Sequence, residues 1–315
     1  MAMLSLQAKS INKIVAGISI FENGIALAII DHSTKKPSLK HAYFYTCSGT
    51  EQVSVLSKLS KEYKLYNIAC NLVLYSHDYQ IHQIDAPDVP KHELNAALKW
   101  QIKDLIDFHL DDAVIDKIEL PNQNAPIHGG KHSILVIACR QSLIQNYVDL
   151  LHTANCNLMA IDIAALASRN IVSYVTSTEQ TSVGLLNLWD DRAKISVFLN
   201  HDLYINRSSS IGIQSLAFVS EDSVDSQSIL DSLTLELQRT FDYYESHSRQ
   251  AAISHLYILS NGQLLADIPS LIEERLGITC SIIEPSDFVS CPDSIDKTIT
   301  SNCMMAIGGA LRMEY

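Results

Sequence analysis

The sequence has no apolar run approaching the roughly 20 residues that a membrane-spanning helix requires. Residues 1–13 also lack an apolar core of the length a secretory signal needs. Both absences lead us to expect a cytosolic protein without direct membrane insertion. Positive charge is scarce too: 23 Lys and Arg stand against 35 Asp and Glu, a formal net charge of −12. Sequence-independent binding to nucleic acid needs a basic face, as does general adhesion to anionic lipid, so neither is expected. Paired cysteine motifs are missing. The seven cysteines (Cys47, Cys70, Cys139, Cys156, Cys280, Cys291 and Cys303) are scattered and odd in number, and they read as reduced thiols, several of them in the core.

Catalytic signatures are equally absent. There is no Gly-x-Ser-x-Gly, no Gly-x-x-x-x-Gly-Lys and no Gly-x-Gly-x-x-Gly. His77 with His82, and His128 with His132, find no third ligand at convincing spacing, so they read as solvated loop histidines rather than a metal site. Asp104, Asp107, Asp111, Asp112 and Asp116 cluster in sequence. With no nucleophile or phosphate loop beside them, they read as a solvated acidic rim rather than an acid–base pair. The expectation is a protein that is not an enzyme and carries no catalytic residue.

What is present is apolar material: 47% hydrophobic residues over 315 positions, enough for one large domain or two ordinary ones. Residues 14–20 and 25–30 read as strands around the Asn23-Gly24 turn signal. Residues 40–46 alternate as a third strand, residues 51–63 have helical spacing, and residues 68–75 read as a buried strand. From residue 182 the same order returns. Strands at 182–189 and 194–199 flank Asp190-Asp191-Arg192, followed by a short strand at 203–207. A long helix from Asp231 carries Leu233, Leu237, Phe241 and Tyr244 on one stripe. A central strand at 255–259 and the Ser260-Asn261-Gly262 turn follow, then a helix at about 264–276 and a strand near 278–283. Two halves with one element order suggest a duplicated domain with a cleft between them. Between the halves, Asp85 to Pro90 opens an insertion. Its expected elements are a helix over 91–108 with Leu94, Leu98, Ile102 and Leu105 on one face, strands at 114–120 and 133–138, and a helix at 141–151.

Several stretches resemble one family. They are VPKHELNAALKWQIKDLIDFHLDDAVIDKIELP (89–121), MAIDIAALASRN (159–170), LELQRTFDYYES (235–246) and MMAIGGALR (304–312). The chain resembles the PilM-like proteins of type IV pilus assembly, most closely the branch that serves MSHA-type pili. The resemblance implies an α/β, actin-like (FtsA-like) duplicated fold with an inserted α+β subdomain. Its halves would be 1–84 with 155–180, and 181–315, around an insertion at 85–154. It also implies a cytoplasmic protein peripheral to the inner membrane. Its partner would be the N-terminal cytoplasmic peptide of a PilN-like bitopic protein, added as an extended strand at a sheet edge. A pilus motor ATPase is implied as a further contact. The charge of −12 would suit a partner tail with basic residues.

Actin-like ATPases hold phosphate at an acidic residue and a glycine in each hairpin. Here Ser19 and Asn187 stand where the acids would be, and Phe21 and Trp189 where the glycines would be. The adenosine-side turns are partly kept as Asn261-Gly262 and Gly308-Gly309. The expectation is a degenerate nucleotide site with no cofactor. In the alternative, ATP and Mg²⁺ bind through Glu22 or Asp190 and the chain is a switch; a nucleotide-dependent filament is a third, less favoured reading. Trp100 is expected as a partner-facing anchor, with packing between insertion and body as the plain alternative. Arg207 is expected to pair with a carboxylate.

Overall fold

The structure is a computed structural model that describes residues 13–90, 92–120, 133–176, 182–217, 224–248, 252–260, 266–292 and 295–312. The apolar runs at the start of the chain form β1 (Ile14–Phe21) and β2 (Gly24–Asp31), an antiparallel pair closed by Glu22 and Asn23. Nearly every residue of both strands is buried. Such strands are covered on both faces, which is why they read as unbroken apolar runs. Next come β3 (Ser38–Thr46), α1 (Gln52–Tyr63) and β4 (Ala69–Leu74), and β4 lies parallel to β1. Much later in sequence, β8 (Leu158–Ile163) completes the sheet in the order β3-β2-β1-β4-β8.

The second half repeats this arrangement. Its strands are β9 (Ser182–Leu188), β10 (Ala193–Leu199), β11 (Asp202–Ser209), β12 (His255–Ser260) and β13 (Thr279–Ile282). They run in the order β11-β10-β9-β12-β13, with the same parallel and antiparallel pairings. Helix α5 (Ile213–Leu216) and helix α6 (Val224–Ser248) precede β12, and α7 (Ile268–Leu276) joins β12 to β13. The α6 stripe is as the spacing predicts: Leu233, Leu237, Phe241 and Tyr244 are all buried in the core of this half. Arg207 departs from expectation. Its guanidinium lies 4.5 Å from the ring centroid of Tyr243 on α6, a cation–π contact.

The insertion sits between the fourth and fifth strands of the first sheet. Its own sheet is β5 (Tyr79–Asp85), β7 (Ser133–Arg140) and β6 (Ala113–Glu119), antiparallel in the order β5-β7-β6. The expected boundary at 85 is therefore late, because β5 already belongs to this sheet. Gln80, His82, Gln83 and Asp85 make that strand polar, so it carries little apolar signal. Helix α2 (Leu94–Gln101) is shorter than the expected 91–108. Leu98 and Ile102 plug the small core, but Leu105 is 49% exposed. Asp104 and Asp107 favour local turns over helix.

Helix α3 (Gln141–Thr153), assigned to the insertion from sequence, packs on α1 and contributes Leu151 to the main core. It occupies the place in the first half that α7 occupies in the second. Helix α4 (Ala164–Val175) then leads to the second half. After β13 come α8 (Pro285–Phe288), α9 (Lys297–Asn302) and α10 (Met304–Ala310). Helix α10 returns to the first half and packs on β1, β4 and α4.

Candidate functional site

Among the described residues, two concavities lie at the hairpin turns and beside the insertion. The first is a cleft of ≈ 400 Å³ between the hairpin turns. Phe21 ends β1 on one side, and Trp189 follows β9 on the other. The second turn is fixed by its backbone. Trp189 N–H donates to Arg192 C=O at 2.9 Å, and the first amides of α5 donate to Trp189 and Asp190. Tyr75, just past β4, stands between the two turns. Its ring centroid is 4.6 Å from that of Phe21 and 5.8 Å from that of Trp189, edge-on to both. Phe44 extends the row, 5.7 Å from Phe21. These spacings are those of favourable edge-to-face pairs. An aromatic row thus bridges the two hairpin turns.

Acidic groups remain at this cleft. Glu22, Asp190 and Asp191 line it. Burial pushes the Tyr75 phenol up, and the charges of Asp190 and Asp191 add to that. Among the described residues, no group of three or more His, Cys, Asp or Glu is gathered closely enough to hold a metal ion. His77 and His82 are described and His77 lines the cleft, whereas His128 and His132 lie outside the described residues.

Of the residues expected at a degenerate nucleotide site, none of the described ones lines this cleft. Ser19 is fully buried within β1, and its Oγ has no hydrogen-bond partner among the described residues. Asn187 is buried and donates from Nδ2 to Ser168 Oγ on α4 at 3.1 Å, tying the second sheet to the first half. Gly308 and Gly309 form no turn. They lie inside α10, where a Cβ on Gly308 would stand 2.5 Å from the carbonyl oxygen of Ala167 on α4, and one on Gly309 would meet Val73 on β4. Glycine is present because a helix crosses another helix and a sheet at very close range. The carbonyls of these glycines accept from two buried asparagines, Gly309 from Asn71 and Gly308 from Asn170, each at 3.0 Å. The Gly309 carbonyl also accepts from the Arg312 N–H at 3.3 Å. Asn261 and Gly262 lie outside the described residues.

The second concavity is a groove of ≈ 700 Å³ between the insertion, α4 and the C-terminal segment. One wall is β6, an edge strand of the three-stranded sheet. Ile118, Leu166, Tyr174 and Leu311 give it an apolar lining. Lys117, Arg169 and Arg312 add positive charge, with Asp202 as the acid. Lys117 Nζ lies 2.8 Å from Glu119 Oε1, so two of these three cations are ion-paired. Arg312 reaches Asp162 at 3.3 Å; burial pushes the Asp162 carboxyl up, and Arg312 opposes that. The resemblance implied a peptide added at a sheet edge but named none of the residues of this groove. The signal was present, since 159–170 is one of the family-like stretches.

Trp100 lies elsewhere. It is 67% exposed on α2, with Lys103 Nζ 5.8 Å from its ring centroid, so it does not pack between insertion and body.

The family profile described as "Type IV pilus assembly protein PilM" matches residues 46–219, more than half of the chain. The chain belongs to the PilM family. Among solved structures, the fold is similar to that of a "PilM-PilN type IV pilus biogenesis complex", with a TM-score of 0.73 and 17% identity over 94% of this chain and 97% of that one. It is also similar to the cytoplasmic domain of EpsL from Vibrio cholerae, described as an inner membrane component of the type II secretion system. There the TM-score is 0.51, with 10% identity over 92% of this chain and 94% of that one. A Bacteroides thetaiotaomicron protein described as having an actin-like ATPase fold and unknown function gives 0.51, with 10% identity over 87% and 91%. No curated protein matches the sequence significantly. This PilM-family chain thus has the actin-like α/β fold that its sequence implied. Among its described residues no helix is long and apolar enough to cross a membrane.

Proposed function

We propose that this PilM-family chain is a non-enzymatic scaffold in the platform that assembles a type IV pilus. It holds the N-terminal cytoplasmic peptide of a PilN-like bitopic protein and is thereby attached to the inner face of the inner membrane. The observation that carries this reading is the groove beside β6. An edge strand offers unpaired backbone groups, and α4 faces it with Leu166 and Tyr174 among polar residues, across a space sized for an extended segment. Likeness to a chain solved in a PilM–PilN complex supports the same reading. The pilus served is proposed to be of the MSHA type, and a motor ATPase is a further proposed contact.

The test is calorimetric titration with a synthetic peptide of the PilN-like partner's N-terminus. Binding that weakens about tenfold or more in Tyr174→Ala supports the groove, a loss of about 1.4 kcal/mol. Silence in the wild-type chain overturns the reading. Deleting the gene tests the pilus type: loss of MSHA-type pili alone is expected.

The cleft is proposed to be structural, because the aromatic row occupies the gap between the turns. A second reading, an ATP-binding switch, is favoured by Glu22 and Asp190 at its rim. Titration with ATP and Mg²⁺ separates the two: micromolar binding establishes the switch, and silence at millimolar ATP supports the scaffold.

A further inference from the structure

The groove beside β6 is not electrically uniform along its length. Its wall on the α4 side carries Leu166, Arg169, Asn170 and Ser173, which recur at i, i+3, i+4 and i+7 and so share one helix face. Toward the start of α4 stand Arg169 and Arg312, the latter holding the buried Asp162. Among the described residues no carboxylate pairs with Arg169, whose Nη2 donates to the neighbouring Asn170 Oδ1 at a long 3.4 Å. This end of the groove is cationic.

The other end is of opposite sign. Helix α4 stops at Thr176, and its last turn carries no basic residue. The last carbonyls of a helix lack intrahelical partners and present a partial negative charge. Beside them comes the turn between β10 and β11. Asn200 and His201 both have positive φ, 50° and 70°, as a two-residue turn between paired strands requires. A hydrogen bond pins this turn to the helix end. The Thr176 hydroxyl donates to the Val172 carbonyl at 2.8 Å, so His201 Nδ1, 3.0 Å from Thr176 Oγ1, is the donor to it. That contact brings the next residue, Asp202, to the groove, where it is exposed and among the described residues forms no ion pair. From Arg169 to Thr176 the helix rises about 10 Å, the span of about three extended residues.

We propose that the Asp202 end of the groove captures a free chain amino terminus, the α-ammonium of the partner peptide's first residue. The capture site rests on the peptide-groove reading and adds the direction in which the peptide lies. In this direction the ammonium meets the Asp202 carboxylate and the negative end of α4 together. Reversed, it would meet Arg169 and Arg312, and like charges placed face to face are costly. The peptide then leaves the groove past Arg169 and Leu166. An internal segment of a longer chain has no such ammonium, so the groove selects a terminus. Each attraction is modest at an exposed site, and their sum is a several-fold gain in affinity rather than the bulk of binding.

The test is calorimetry of the purified full chain with the synthetic peptide of the PilN-like partner's N-terminus, in two forms, one with a free amine and one acetylated. The free form is expected to bind about three- to tenfold more tightly than the acetylated form. Raising the salt should narrow that gap. In Asp202→Asn the free form is expected to lose most of its advantage, while the acetylated form binds as it does to the wild type. Equal affinity of the two forms for the wild type overturns the proposal and leaves the groove reading standing. An advantage that Asp202→Asn leaves intact also overturns it, since the ammonium would then sit elsewhere. Binding of neither form overturns the groove reading, and the capture site with it. The acetylation comparison uses the unaltered chain, so it decides the matter even if Asp202→Asn is misfolded by circular dichroism.

Discussion

The ring of Tyr75 meets the ring of Trp189 edge-on, with centroids 5.8 Å apart, across the gap between the halves. Neither residue belongs to a strand: Trp189 follows β9, the central strand of its sheet, and Tyr75 follows β4, the neighbour of the central strand in the other. The contact therefore fixes one half against the other. Truncating Trp189 to Ala is expected to cost about 3–5 kcal/mol, the range for a buried aromatic. A double-mutant cycle with Tyr75→Ala should return a coupling of about 0.5–1.5 kcal/mol. Urea unfolding followed by circular dichroism measures both. Additivity within error would mean that the rings are neighbours without a shared interaction.

Helix α10 is seated by its glycines. Gly308→Val is expected to destabilise by about 1–3 kcal/mol or more, because the new side chain meets the Ala167 carbonyl and the crossing must open. An unchanged urea midpoint would show that α10 is not held against α4 in solution.

Asp78 gives the chain a pH dependence of defined sign. Its carboxyl accepts from Tyr75 N–H at 2.9 Å and from the Tyr147 hydroxyl at 3.3 Å. Burial still pushes it above the ordinary 3.8. The folded state then holds the proton that the unfolded state releases. Stability from this group is complete below 3.8 and is lost as pH rises through the folded value. Asp78→Asn keeps an acceptor and cannot ionise. Its stability relative to the wild type should therefore rise as the pH is raised from below 3.8 toward neutrality. Parallel curves for the two proteins in urea titrations across that window would sink the assignment.

The groove and the exposed Trp100 offer two different docking surfaces, and one comparison separates them. Arg169→Glu is expected to weaken peptide binding and to alter its salt dependence, since Arg169 lines the groove. Trp100→Ala, on the outer face of the insertion, is expected to leave the affinity within about twofold, the scale of a near-neutral surface change. The reverse result in calorimetry would move the docking site to the insertion's exposed helix.

Local chemistry made much of the fold legible. The apolar runs at 14–20, 25–30 and 182–188 are strands because a strand covered on both faces needs no polar residue. Leu233, Leu237, Phe241 and Tyr244 announced a buried helix face by spacing alone. The bulk of Phe21 and Trp189 was visible too, although not that Tyr75 would join them into one row. Strand β5 was not legible, because its polar residues carry no apolar rhythm. Gly308 and Gly309 misled, since a turn and a tight helix crossing both call for glycine.

The sequence by itself determined most of the strands and helices, that the chain repeats one element order, and that Phe21 and Trp189 stand at its two hairpins. Those are properties of neighbours along the chain. Tertiary structure decided where α3 belongs, what the glycines of α10 touch, and which residues line the groove and the cleft. The groove draws on Lys117, Leu166, Tyr174, Asp202 and Arg312, and the cleft on Phe21, Tyr75 and Trp189. Residues so far apart carry no periodic signal of their meeting. Only the pairing of strands and the return of α10 to the first half bring them face to face.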